Sequence, residues 1–308
     1  MLEEPITFDG LDFLWLEITG QCNLSCVHCY ADSGPHRPVF GTMATRDWLA
    51  VIDEAADLGC KQIQFIGGEP TLHPGLETMI ERARMRAFSF IEVFTNATRL
   101  NERHIACFRV FGVHVATSFY DRDAATHDAI TQNAGSWTRT LAGVEAVLAA
   151  DLPLRVGIIE MDENRDQGNA TAAFLTTLGV KNINLDRRRG IGRGGLGAGE
   201  GERFGELCGK CGRGKLCVTP SGIAYPCVFS RATPVGNAKD GLAAILAGSA
   251  LRTFRERMQG LRMADCNPDC MPACRPNCNP DCMPYCNPNC NPDCMPNCNP
   301  NCNPDRRR

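Results

Sequence analysis

The sequence has no long hydrophobic run and no export signal. None of its apolar stretches approaches the ~18 residues that a membrane-spanning helix requires. Its start, MLEEPITFDG, is acidic and lacks the basic segment and apolar run of a secretory signal. We therefore expect a globular protein that is neither inserted into a membrane nor secreted, with a cytoplasmic location.

Charge of one sign and aromatic side chains are also scarce. Lys and Arg total 32 against 35 Asp and Glu, which gives a net charge of −3, and aromatic residues make up 7% of the chain. Nucleic-acid binding favours an excess of positive charge with aromatic rings placed among the basic residues. The composition provides no such general attraction, and we expect no nucleic-acid partner.

Cysteine and glycine are abundant instead, with 19 and 30 residues in a chain of 308. A disulfide framework is typical of small secreted proteins, whereas this chain is long, has an odd number of cysteines and shows no export signal. Reduced thiolates that bind metal are therefore the better interpretation. The 44% of apolar residues is enough for one large domain and a smaller one.

Short β-type runs alternate with amphipathic helical patterns between residues 12 and 186, which is typical of a parallel sheet covered by helices. The predicted strands are 12–19, 62–66, 88–95, 112–119, 153–159 and 182–186, and the predicted helices lie near 45–58, 75–86, 101–110, 137–150 and 169–178. This α/β pattern predicts an incomplete barrel or a doubly wound sheet. Either places the chemistry in loops at the carboxyl ends of the strands.

The loop after the first predicted strand contains Cys22, Cys26 and Cys29, spaced C-x-x-x-C-x-x-C. A closed thiolate site normally takes four protein ligands, so three thiolates can hold three irons of a 4Fe-4S cube and leave the fourth iron open. The alternative is a zinc site with a further ligand, such as His28.

The loop after the second predicted strand begins with Gly67, Gly68, Glu69 and Pro70. Consecutive glycines allow a backbone edge to approach a ligand closely, and its carbonyls or the Glu69 carboxylate can accept hydrogen bonds from an ammonium group. Taken alone, this turn is ordinary. Its combination with the three-cysteine loop makes it informative.

The combination of these two motifs resembles the radical SAM enzymes, through most of residues 12–186. The resemblance implies a partial (β/α)6 TIM-type barrel and a 4Fe-4S cluster whose open iron is chelated by S-adenosyl-L-methionine. It implies cleavage of this cofactor, with an electron from a donor such as a flavodoxin or ferredoxin, to a 5'-deoxyadenosyl radical that abstracts a substrate hydrogen. The segments FTNATRL and VATSFYD are similar to the family's third and fourth strand ends, which makes Asn96 and Ser118 candidate cofactor contacts.

A second cysteine group follows a glycine-rich bridge: Cys208, Cys211, Cys217 and Cys227. Its spacing permits structural zinc or an iron-sulfur cluster. CVTPSGIAYPC resembles the beginning of SPASM and twitch extensions, which implies one or two auxiliary 4Fe-4S clusters. A full SPASM extension continues with C-x2-C-x5-C-x3-C, which this chain lacks.

The C-terminal segment repeats cysteine at every fourth position from Cys266 to Cys302, with proline two residues after each. Proline at this period excludes a helix and favours tight turns. Its first thiols are the candidate replacements for missing auxiliary-cluster ligands: Cys266, Cys270, Cys274 and Cys278. From Cys282 onward, the alternative is a low-complexity extension that binds metal loosely or not at all. The sequence predicts four segments: an N-terminal piece (1–11), the barrel (12–200), the auxiliary domain (201–265) and the repeat tail (266–308).

The leading hypothesis is a radical SAM enzyme that modifies a ribosomally made peptide by cross-linking, thioether formation or epimerisation. About eleven residues precede the first predicted strand, so we expect leader recognition by another protein, the tail or a short substrate. The alternatives are oxidation or epimerisation of a small molecule, such as a sugar or amino alcohol, and a non-catalytic metal-binding or iron-storage protein. The sequence nominates no catalytic residue. Four arginines follow the sixth predicted strand: Arg187, Arg188, Arg189 and Arg193. They are interpreted either as a site that binds a carboxylate of the cofactor or substrate, or as a solvated basic loop.

Overall fold

The computed structural model describes residues 10–195 and 204–259. The repeat tail, with the predicted ligands from Cys266 to Cys278, lies outside them. No helix in the described ranges is both long enough and apolar enough to cross a bilayer.

Strands and helices alternate along the chain as predicted. The strands are β1 (Phe13–Glu17), β2 (Gln62–Ile66), β3 (Phe90–Phe94), β4 (His114–Ser118), β5 (Leu154–Glu160), β6 (Asn182–Arg187), β7 (Lys215–Val218), β8 (Ile223–Tyr225) and β9 (Gly236–Asn237). The helices are α1 (Thr45–Asp57), α2 (Leu76–Met85), α3 (Glu102–Phe111), α4 (Ala124–Thr131), α5 (Ser136–Ala149), α6 (Gly168–Thr177), α7 (Leu242–Ala247) and α8 (Ser249–Gln259).

The described strands form one sheet in the order β6-β5-β4-β3-β2-β1-β7-β8-β9. From β1 to β6, each strand lies parallel to the preceding one, with at least one helix in every connection. A doubly wound sheet would reverse this order at a switch point. The observed order is that of a partial (β/α)6 barrel, so this prediction is confirmed.

Strand β7 extends the sheet beyond the six predicted strands. It pairs in parallel with β1, with Trp15 opposite Cys217, and β8 and β9 follow as antiparallel neighbours. Strands within residues 215–237 therefore continue the sheet of the barrel. The sequence pattern does not reveal this, because strands of four, three and two residues are too short to show an alternation of period two.

Two helical regions also differ from the prediction. Helix α4 is not predicted, because its eight residues are too few for a clear helical period. The sequence also predicts a single helix at 241–262, and the structure instead contains α7 and α8 there. Gly248 separates them in an extended conformation, with φ −67° and ψ 148°.

The two faces of the sheet differ in chemistry. The face toward the helices is apolar and shares one core with α1 and α2, formed by Leu14, Leu16, Ile63, Phe65, Ile91, Val93, Trp48, Ile52, Met79 and Ile80. The opposite face is buried yet polar. There Arg155 Nη2 lies 2.9 Å from Glu92 Oε2, and Gln64 donates to the same carboxylate oxygen. The buried charges are thus paired and hydrogen-bonded, as burial requires.

The start of α5 is capped by a side chain from the preceding helix. The sequence predicts Ser136 as the cap, but Gly135 occupies the N-cap position and Asp128 performs the capping. The Asp128 carboxylate accepts hydrogen bonds from the amides of Gly135 and Trp137 and from the Ser136 hydroxyl. A carboxylate at this position satisfies amide groups that have no partner within the helix.

Asp128→Ala should therefore destabilise the protein by about 1–2 kcal/mol, the usual effect of losing a helix cap. Urea unfolding followed by circular dichroism measures the change. Glu145→Ala is the matched control, because Glu145 is an exposed residue of α5, the helix that Asp128 caps. Equal stabilities of the two variants would contradict a capping role for Asp128.

Candidate active site

The three cysteines predicted to hold a cluster lie together in the loop after β1. Cys22 is 8% exposed, Cys26 and Cys29 are partly buried, and all three thiols are free. The Leu24 amide donates to Cys22 Sγ at 3.4 Å, and the Ser33 amide donates to Cys29 Sγ at the same distance. The loop thus provides backbone donors to two of the three sulfurs.

These thiols have raised pKa values. Burial, followed by the Glu69 carboxylate, raises the pKa of Cys22 to about 12. Burial, followed by the neighbouring Cys29, raises the pKa of Cys26 to about 12. A buried thiolate is costly unless a cation compensates its charge, so this set of thiols suits a cluster of iron ions.

The cysteine loop is tied to the loop that follows β6. Arg193 donates from Nε to the Cys26 carbonyl at 2.9 Å, and its amide donates to the Cys29 carbonyl at 3.0 Å. Its guanidinium also pairs with Asp32 at 2.9 Å. A Cβ at Gly192 would lie 2.4 Å from the Tyr30 carbonyl, so glycine is needed for this close approach.

Each of the other arginines near the end of β6 has a carboxylate partner within the protein. Arg187 pairs with Glu206 at 3.2 Å, Arg188 with Asp162 at 3.3 Å, and Arg189 with Asp186 at 2.9 Å. The structure therefore uses all four arginines, Arg193 included, to hold loops together.

The Gly-Gly-Glu-Pro loop lies directly against the segment that leads into Cys22. The Gly68 amide donates to the Thr19 carbonyl at 2.7 Å, and the Glu69 amide donates to the Gln21 carbonyl at 2.8 Å. A Cβ at Gly68 would lie 2.1 Å from Gln21 O. Glycine is required here because the two backbones touch.

Glu69 is fully buried, and its carboxylate joins the loops after β2 and β3. It accepts hydrogen bonds from the amide and hydroxyl of Thr71, from the Thr95 hydroxyl and from the Asn96 amide, at 2.6–3.1 Å. Burial raises its pKa in spite of these donors. Pro70 follows it, buried, at the start of a short 3-10 turn.

Asn96 contacts the cysteine loop. Its Nδ2 lies 3.7 Å from Cys22 Sγ and donates to Asn23 Oδ1 at 3.0 Å. Its Oδ1 accepts hydrogen bonds from the amide and hydroxyl of Thr98. The side chain of Asn96 is thus placed to orient the first thiol.

Ser118 ends β4, and its side chain hydrogen-bonds Tyr120. The Tyr120 hydroxyl also hydrogen-bonds the Cys26 thiol. Sequence reasoning missed Tyr120. Its only sequence signal is an aromatic residue with a polar tip directly after a predicted strand, which is too common to be specific.

The second cysteine group is also assembled. Cys208, Cys211, Cys217 and Cys227 are free thiols that are at most 5% exposed. The Sγ atoms of Cys211 and Cys227 lie 2.9 Å apart, and Cys208 hydrogen-bonds Cys211. Four buried thiols are a suitable donor set for an iron-sulfur cluster. Among the described residues, no three Cys, His, Asp or Glu side chains are placed so that they could hold a single metal ion.

Two family models match the chain. The model described as the Radical SAM superfamily matches residues 16–175, and the SPASM model, an iron-sulfur cluster-binding domain, matches residues 208–279. The first match includes the three-cysteine loop and the Gly-Gly-Glu-Pro loop. The second includes Cys208 through Cys278 and ends before Cys282.

Several curated proteins are similar in sequence. AdoMet-dependent heme synthase from Methanosarcina barkeri is 32% identical over 167 residues, which cover 53% of this chain and 47% of the relative. PqqA peptide cyclase from Streptomyces rochei is 31% identical over 182 residues, which cover 58% and 49%. The chain thus spans about half the length of these relatives.

Two solved structures share the fold. Streptococcus suis SuiB bound to S-adenosylmethionine has a TM-score of 0.65 and 14% identity, with 80% of this chain and 68% of that chain covered. The enzyme anSMEcpe with bound AdoMet has a TM-score of 0.66 and 15% identity, with 82% and 81% covered. At these identities the likeness is one of fold.

Proposed function

The chain belongs to the radical SAM superfamily, and on this premise we propose that it modifies a ribosomally made peptide by abstracting a hydrogen atom. The observation that carries the proposal is the contact between the cysteine loop and the Gly-Gly-Glu-Pro loop, where the Gly68 backbone touches Gln21, one residue before Cys22. Three thiols that could hold a cluster and a partly buried glycine backbone are thereby brought side by side. The chemistry would be cross-linking, thioether formation or epimerisation.

Cys22, Cys26 and Cys29 fit a 4Fe-4S cluster that has one iron open to S-adenosyl-L-methionine. When bound together, the cluster and S-adenosyl-L-methionine would supply one-electron cleavage of the sulfonium group. The backbone at Gly67 and Gly68 would hold the ammonium group of the cofactor. Glu69 already accepts four hydrogen bonds from the protein, so its role would be to fix this edge in place.

Other residues of the site would orient the cluster. Asn96 and Tyr120 reach the sulfurs of Cys22 and Cys26, where hydrogen bonds to a thiolate ligand tune a cluster. Ser118 orients Tyr120 and lies at a strand end from which it can also reach the cofactor. We assign two further groups of thiols to auxiliary 4Fe-4S clusters: Cys208, Cys211, Cys217 and Cys227 to one, and Cys266, Cys270, Cys274 and Cys278 to a second.

The peptide substrate is supported by similar proteins. PqqA peptide cyclases are among the relatives, and solved structures of this fold include SuiB with its precursor peptide SuiA and anSMEcpe with a peptide. In the proposal, a separate leader-binding protein presents the peptide, and a flavodoxin or ferredoxin delivers the electron. The reaction would take place in the cytoplasm, where thiols stay reduced.

Action on a small molecule is the second candidate. The similarity to AdoMet-dependent heme synthase favours it, because that relative is 32% identical over more than half of this chain. The two candidates share the cluster and the cofactor. They differ in what occupies the barrel interior during hydrogen abstraction.

Anaerobic reconstitution with iron and sulfide tests the proposal. The reductant and S-adenosyl-L-methionine are added with a short peptide encoded beside the gene, and mass spectrometry follows both 5'-deoxyadenosine and the peptide. The expected result is one modified peptide for each 5'-deoxyadenosine formed above background. Cofactor cleavage that leaves the peptide unchanged, but is stimulated by a porphyrin or sugar, would favour the second candidate.

The late part of the tail should be dispensable for cofactor cleavage. Truncation after Cys278 removes six cysteines and keeps all those within the matched SPASM region. We expect the formation of 5'-deoxyadenosine to be unchanged. Iron uptake should fall only if the late thiols bind metal. Truncation after residue 265 is the comparison, since it also removes the proposed ligands of the second auxiliary cluster. Loss of cofactor cleavage in the protein that ends at Cys278 would contradict a dispensable late tail.

A further inference from the structure

A buried ion pair joins β1 to the segment after Cys227. Glu17, 3% exposed at the end of β1, receives a two-point interaction from Arg231. Arg231 Nη1 lies 3.0 Å from Glu17 Oε2, and its Nη2 bonds the other carboxylate oxygen. The Nε atom donates to the Val228 carbonyl at 2.7 Å. The guanidinium is therefore fixed on both of its sides.

The same guanidinium contacts an aromatic ring next to each thiol group. Its Cζ lies 5.1 Å from the ring centre of Tyr30, the residue after Cys29. It lies 5.5 Å from the ring centre of Tyr225, which is opposite Cys217 in the pairing of β7 with β8. Cation–π contacts of this length hold a guanidinium in place. The pair thus stands between the first cysteine loop and the second cysteine group.

Glu17 also lies close to Cys217. Cys217 is opposite Trp15 in the pairing of β7 with β1, and Glu17 follows Trp15 by two residues on the same face of the strand. The Glu17 carboxylate disfavours additional negative charge at the neighbouring Cys217. The Arg231 guanidinium, paired with Glu17, compensates the charge of this carboxylate.

We propose that the Glu17–Arg231 pair sets the reduction potential of the cluster at Cys208–Cys227. The inference rests on the proposed function in one respect: the second cysteine group holds an iron-sulfur cluster. Reduction adds one electron to a thiolate-ligated cluster that is already negative. A nearby positive charge favours the reduced state and a nearby negative charge opposes it, and low solvent access weakens the screening. Arg231 acts here as a positioning residue, through its charge and its hold on Glu17.

The variants predict potential shifts of opposite sign. Glu17→Gln removes the negative charge and nearly preserves the shape, so the potential should rise. Arg231→Gln removes the positive charge, so the potential should fall. The double variant should return close to the parent value, and Arg231→Lys should shift the potential less than Arg231→Gln does.

The test uses the full chain with Cys22, Cys26 and Cys29 replaced by alanine, so that cleavage of the cofactor plays no part. After anaerobic reconstitution, a dithionite titration followed by electron paramagnetic resonance gives the midpoint potential of the signal that Cys217→Ala removes. Arg103→Gln is the matched control, because it breaks the exposed pair with Glu77 on α2, away from both thiol groups in the sequence, and should leave the potential unchanged. Iron content and circular dichroism confirm that each variant is folded and loaded.

Unshifted potentials in both single variants, or shifts of the same sign, would overturn the proposal. Uptake of zinc in place of a reducible cluster would overturn it as well. If Arg231→Gln does not fold, Glu17→Gln decides the question by itself. None of these outcomes bears on 5'-deoxyadenosine formation by the wild-type chain, so failure here and failure of the proposed function are distinguishable.

Discussion

Replacement of Cys22, Cys26 and Cys29 by alanine should reduce the formation of 5'-deoxyadenosine to the level of a reaction without enzyme. Each thiolate would hold one iron of the cluster, and without the cluster no electron reaches the bound cofactor. Chromatography of anaerobic reactions with dithionite and S-adenosyl-L-methionine measures the product. This is the largest effect expected of any change in the chain.

Cys107→Ala is the matched control. Cys107 lies on α3, partly buried against the apolar core, and away from both thiol groups in the sequence. Its loss should leave cofactor cleavage unchanged. Persistent cleavage in the triple variant would exclude the proposed mechanism. So would spectroscopy that finds a saturated zinc ion in the first loop of the wild-type protein, unresponsive to S-adenosyl-L-methionine.

Gly68→Ala should produce the second largest effect. A Cβ at this position would lie 2.1 Å from Gln21 O and 3.0 Å from the Cys22 amide nitrogen, so the segment that carries Cys22 must move. Overpacking of this kind typically costs about 1–3 kcal/mol of stability. A displacement near 1 Å can lower a reaction rate by about 100-fold. We expect both losses, measured by urea unfolding and by 5'-deoxyadenosine formation.

Gly205→Ala is the control for the glycine substitution. A Cβ at Gly205 meets no heavy atom within 4 Å, so neither stability nor cleavage should change there. A Gly68→Ala protein that loses stability but cleaves the cofactor at the normal rate would show that the two loops do not act as one site. Its iron content separates loss of the cluster from misplacement of the cofactor.

Much of the fold could be predicted from local sequence patterns. All six strands of the barrel lie where the β-type runs predict them. Strands β1 to β5 are largely buried and consist of short apolar runs between loops, whereas β6 has no buried residue. The five helices predicted within the barrel also lie in their predicted places, whereas the one predicted at 241–262 is divided into α7 and α8. Short elements carry no clear period, and α4 and β7–β9 escaped the prediction for that reason.

The candidate site was predicted in part. The three cysteines and the two glycines stand out in the sequence because their spacing within a few residues is displayed directly, and their role in binding a cluster and cofactor stays a prediction. The role of Tyr120 and the capping by Asp128 were not found, since each depends on a contact that the spacing does not specify. The arginines after β6 were ambiguous in sequence, and their partners were identified only by the contacts they make.

The sequence by itself determined the thiol motifs, the glycines that permit backbone contact and the order of strands and helices. Only the tertiary structure decided which loops meet, which charges are paired and how the second cysteine group joins the sheet of the barrel. Glu17 and Arg231 are 214 positions apart, and nothing in either neighbourhood identifies the other as its partner. The reason is physical: a motif is held by a few covalent bonds, whereas a buried ion pair exists only after the chain has folded and excluded water from both charges.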